Sequence, residues 1–86
     1  MQIGDAAPRA GTDIHYLRFL DDKLRNAIRS SLNDGRPHLA VTLDTARDAI
    51  EDVLAEADPT ATRVAVARAR AEIALEVWRE AIELRH

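Results

Sequence analysis

Three histidines, an adjacent pair of serines and a large stock of carboxylates are the side chains of this sequence that could do chemistry. His15, His38 and His86 lie one per region, and no pairing of them with a His, Asp or Glu at helical spacing is strong enough to point to a metal site. Ser30 and Ser31 have no neighbouring base that would activate a hydroxyl. Gly4, Gly11 and Gly35 do not make a phosphate-cradling loop. With no cysteine, thiolate chemistry, disulfides and zinc–thiolate sites are all excluded. Asp44, Asp48, Glu51, Asp52 and Glu56 gather on one side of a helical pattern, without the apolar pocket that would raise a carboxyl pKa for acid–base work. That acidic face is expected to be solvated, or to form a ridge that docks a basic partner. The expectation is a protein that is not an enzyme, with no catalytic residues, no cofactor and no metal.

The elements that carry these residues fit in one small domain of 86 residues. Hydrophobic content is 47%, but much of it is alanine and aromatics are 3%, so the core is thin and a partner chain would supplement it. A formal net charge of −3 with interspersed signs and no lysine block makes a poor nucleic-acid or membrane-surface binder. No apolar run approaches the roughly 20 residues of a membrane span, and Met1–Gly11 has no signal-like apolar stretch. A soluble, cytoplasmic protein with no membrane contact is expected.

Met1–Gly11 is expected to be a flexible tail, with residues 12–86 forming a single helical domain. Thr12 or Asp13 can cap a first helix whose stripe is Ile14, Leu17, Leu20, Leu24, Ile28 and Leu32, with Ala27 and Ser31 beside it. Asn33-Asp34-Gly35 should end it, with Gly35 left-handed and Pro37 blocking continuation. Phe19 lies off the stripe, and is expected either to pack on the tail or the third helix, or to be an exposed anchor for a partner. Leu39, Val41 and Leu43 alternate with Ala40 and Thr42, which predicts an extended connector or a short strand. As a strand it could be the ribbon of a ribbon-helix-helix DNA binder, although His38, Ala40 and Thr42 are poor readers of base edges.

Thr42 or Asp44 is expected to cap a second helix running to about Ala57, with Leu43, Ala46, Ile50, Val53, Leu54 and Ala57 as its stripe. Asp58-Pro59 then supplies the cap and first residue of a long third helix ending near Arg85, after a very short turn. That helix has two apolar faces. Val64, Ala67, Ala71, Leu75, Trp78 and Ile82 form the main one, on which Trp78 should be largely buried. Val66, Ile73, Val77 and Leu84 form a second on roughly the opposite side, with Arg70 and Glu80 in the same row. Arg68 with Glu72 and Arg79 with Glu83 are expected charge pairs on the exposed surface. A small monomeric bundle needs only one apolar stripe per helix, so the second points to another chain, with Arg70 seeking Glu80 of a partner helix.

The run Tyr16-Leu-Arg-Phe-Leu-Asp-Asp-Lys23, followed by Ser31-Leu-Asn-Asp-Gly-Arg-Pro37, resembles the stability-determinant antitoxins of RelE/ParE-type toxin–antitoxin modules. Tyr16, Phe19, Leu20, Lys23, Leu32, Asp34, Arg36 and Pro37 are the matching positions. The resemblance implies a non-enzymatic protein that occupies the surface of a toxin with amphipathic helices.

Together these readings predict an all-α fold, a small oligomeric three-helix bundle with a long C-terminal helix. The expected function is a helical protein–protein interaction module, in its most specific form an antitoxin, acting as a homodimer or a heterocomplex. The alternatives are a small DNA-binding regulator or a structural subunit of an assembly. Phe19, Val66, Arg70, Ile73, Val77, Glu80 and Leu84 are the predicted partner-binding residues.

Overall fold

The computed structural model describes residues 10–84. They fold as three helices, α1 (Ala10–Asn33), α2 (Pro37–Leu54) and α3 (Ala61–Leu84), with no strand among the described residues. The expected tail lies outside the described residues except for Ala10 and Gly11, which are already helical. Thr12 and Asp13 are therefore not caps but members of the first turn, where the Asp13 carboxylate favours the positive end of the helix.

The end of α1 follows from Gly35, whose φ of +72° is the left-handed value that glycine adopts without strain. The Arg36 N–H donates to the Ser31 carbonyl at 2.8 Å and the Gly35 N–H to Leu32 at 3.1 Å. This paired closure satisfies two of the orphan carbonyls of α1.

Pro37 does two jobs at once. It cannot continue α1, and it starts α2 as the first helical residue, where its missing N–H has no helical partner to lose. The predicted extended segment Leu39–Leu43 is accordingly helix, and neither Thr42 nor Asp44 is a cap. The Thr42 and Thr45 hydroxyls instead donate back to the His38 and Val41 carbonyls at 3.2 and 2.9 Å. The alternation in sequence misled because Ala40 is itself a core residue. Ala40, Leu43, Ala46, Ile50 and Val53 are all buried, and their spacing is that of one helix face.

α2 stops at Leu54, short of the predicted Ala57, and Ala55–Thr60 make the turn to α3. Thr60, not Asp58, is the cap: its hydroxyl oxygen accepts the Arg63 N–H at 3.2 Å and its carbonyl the Val64 N–H at 3.1 Å. Arg63 also pairs with Glu56 across the turn.

The core is a shared seam of Leu17, Leu20, Leu24 and Ala27 from α1, Leu43, Ala46, Ile50 and Val53 from α2, and Val64, Ala67, Ala71 and Ala74 from α3. Alanines form most of the buried face of α3, which lets its backbone approach the other two helices closely. Trp78 packs against the edge of this seam, with most of its surface covered but outside the fully buried core. Leu32, predicted in the α1 stripe, and Ala57, predicted in the α2 stripe, are exposed. Asp13 near Arg68 and Tyr16 near Glu72 align the start of α1 with the middle of α3. Thr45 beside Ile73 and Ala49 beside Val66 set α2 antiparallel to α3.

Candidate interaction surface

The second apolar face of α3 lies outside the core. Val66, Ile73, Val77 and Leu84 are 47, 64, 42 and 86% exposed, values far from those of the seam residues. At 3.6 residues per turn they fall on one line along the helix, with Arg70 and Glu80 beside them and also exposed. A groove between α2 and α3 runs along this line. Ala49, Asp52 and Val53 wall it near Val66, and Thr42, Thr45 and Ala46 wall it near Ile73 and Val77, with Arg70 bordering both halves. The α2 wall is built of small side chains, so a helix could settle against the row. Val41, exposed and one turn before Thr45, extends the apolar surface on α2.

Phe19 does not join this surface. It is 53% exposed on the other flank of α3, in a groove between α1 and α3 with Tyr16, Leu75 and Trp78. The rings of Tyr16 and Phe19 are 6.0 Å apart at 23°, and the Lys23 ammonium stands 5.2 Å from the centre of the Phe19 ring. The Tyr16 hydroxyl donates to Glu72 Oε2 at 2.7 Å, and that bond to a carboxylate holds the phenol above its ordinary pKa. The predicted partner-binding residues thus divide into two surfaces, the row of Val66, Arg70, Ile73, Val77, Glu80 and Leu84, and the aromatic groove at Phe19.

The predicted pairs Arg68–Glu72 and Arg79–Glu83 are replaced by others. Arg68 lies 4.0 Å from Asp13 on α1, and Glu72 is engaged by Tyr16. Arg79 reaches back one turn to Glu76, a contact that holds the Glu76 carboxyl below its usual value. On the acidic face of α2, Asp44, Asp48, Glu51 and Asp52 are exposed.

One charged cluster escaped the sequence reading. Asp21 is buried between α1 and α2, with Arg25 Nη2 3.2 Å from its Oδ2 and Arg47 Nε 3.2 Å from its Oδ1. Burial pushes its carboxyl above the ordinary value, and the Arg47 and Arg25 charges oppose that shift. Arg47 Nε and Asp21 Oδ1 are close enough for a charge pair but not aligned as a hydrogen bond. The Ser31 hydroxyl is also buried, with no hydrogen-bond partner among the described residues. The signal for the cluster was present in sequence, as Asp21 and Arg25 one turn apart and Arg47 between the core residues Ala46 and Ile50.

Chemistry elsewhere is sparse. His15 and His38 are exposed on different helices and His86 lies outside the described residues. Among the described residues no group of three His, Cys, Asp or Glu side chains could hold a metal, and no helix is long and apolar enough to cross a membrane. No family model, curated protein or solved structure matches the chain.

Proposed function

We propose that this chain is a non-enzymatic helical protein–protein interaction module whose α3 row is covered by another protein chain. One observation carries the reading: four large apolar side chains stand exposed in a single line beside a groove walled by small residues. Scattered exposed apolar residues are ordinary on a small protein, but a continuous row is costly to leave in water. A ribbon-type DNA reader finds no support, because the segment it needs is the first turns of α2.

The antitoxin is the specific form of this reading. The aromatic and lysine positions that carry the resemblance, Tyr16, Phe19 and Lys23, cluster at the α1/α3 groove, which would be the face offered to a toxin. Co-expression with the product of the adjacent reading frame tests both parts. Relief of growth arrest and a stable complex are expected for the wild type, with loss of both in Phe19→Ala. A neighbouring product that neither arrests growth nor binds removes the antitoxin form. Unchanged self-association and binding after Ile73→Glu with Val77→Glu removes the row from the account.

A further inference from the structure

The α3 row has an internal symmetry. Val66 and Leu84, Arg70 and Glu80, and Ile73 and Val77 are three pairs that share one midpoint, position 75. Each pair matches apolar with apolar or cation with anion. A two-fold interface requires that if residue i meets residue j of the mate, then j meets i. Two antiparallel copies of this row, crossing level with position 75, satisfy that condition at every position at once. A row shaped for an unrelated surface has no reason to read alike from both ends.

We infer that the partner of the α3 row is a second copy of this chain, its α3 antiparallel and in register about position 75. This rests on the reading of the row as an interface, and names its occupant. Charge selects the direction. A parallel pairing would set Arg70 against Arg70 and Glu80 against Glu80, whereas the antiparallel one forms two Arg70–Glu80 pairs across the axis. Arg70 is available for this. Of the four arginines in the described part of α3, Arg63, Arg68 and Arg79 each reach a carboxylate, and Arg70 makes no ion pair with any described residue. The row from Val66 to Leu84 spans about 27 Å, a length that an equal helix covers fully. Thr42, Thr45 and Ala46 leave room for the mate beside Ile73 and Val77, so the two α3 helices form the central pair of the dimer.

The chain has no cysteine, so single-cysteine variants report proximity without background. In the antiparallel register, Ile73→Cys mixed with Val77→Cys should form disulfide-linked dimers faster than either variant alone. The complementary measurement is sedimentation equilibrium of Arg70→Glu, Glu80→Arg and the double exchange, with helicity followed by circular dichroism. Each single change should weaken dimerisation about tenfold at low salt, and the double exchange should restore it to within about threefold of wild type. Faster linkage of Ile73→Cys with itself, or no recovery in the double exchange, overturns the register. If Ile73→Glu with Val77→Glu still abolishes association in that case, the row remains an interface and only its pairing is wrong. A wild-type chain that is monomeric at high micromolar concentration overturns the self-pairing.

Discussion

Arg47 Nε lies 3.2 Å from Asp21 Oδ1 across the α1/α2 seam, in a site where the Asp21 side chain is 8% exposed. This is the only place among the described residues where a carboxylate is buried in the bundle, and it ties the middle of α1 to the middle of α2. Arg47 also reaches Glu51 Oε2 at 3.0 Å, so one guanidinium serves a buried and an exposed carboxylate. Breaking a buried pair costs more than its net worth, because the remaining charge loses its compensation.

Arg47→Met should therefore destabilise by about 2 kcal/mol at pH 7, less than a fully buried pair because Arg25 still faces Asp21. The pH dependence fixes the cause. A carboxyl whose folded pKa is raised binds more protons when folded, so stability declines as pH climbs from the unfolded value of 3.8 through the raised one. Removing Arg47 raises the folded value further, so the loss should be much smaller near pH 4 than at pH 7. Urea melts at the two pH values check this, and an equal loss at both would assign Arg47 a packing role.

Gly35→Ala should cost about 1 kcal/mol, and Gly35→Asn less than half of that. The reason is backbone conformation alone, since a Cβ built on Gly35 meets no atom within 4 Å. Denaturant midpoints of the two variants decide, and equal costs for Ala and Asn would remove the left-handed backbone as the cause.

Leu24→Ala should cost about 3 kcal/mol, because Leu24 is fully buried in the seam. Trp78→Ala should cost about 2 kcal/mol, below the usual range for a core aromatic, because Trp78 packs at the edge of the seam and keeps part of its surface in water. The ordering is the test. A tryptophan loss that exceeds the leucine loss in urea melts would place Trp78 at the centre of the fold.

The fold class was legible in sequence because leucine, isoleucine and valine keep helical spacing on each helix, and because Gly35 marks the first stop. The start of α2 was not, since Leu39, Val41 and Leu43 mimic a strand when alanine at position 40 is counted as a spacer. In sequence Pro37 reads only as a barrier, although the same ring geometry that ends one helix starts the next. Asp21 was missed for a related reason. A charge one residue from Leu20 reads as the edge of a polar face, and only the arrival of Arg47 from α2 shows it to be inside. The exposed α3 row was legible because Val66, Ile73, Val77 and Leu84 keep helical spacing on the side of α3 away from its main stripe, whereas its separation from Phe19 depends on how α3 sits between the other two helices.

Sedimentation equilibrium of the wild type beside Ile73→Glu with Val77→Glu is the most direct measurement of the central claim, that the α3 row is an interface. Wild-type protein is expected to be a dimer at micromolar concentration, and the double variant a monomer of undiminished helicity. A wild type that stays monomeric at high micromolar concentration and binds no partner, or a double variant that associates as wild type does, contradicts it.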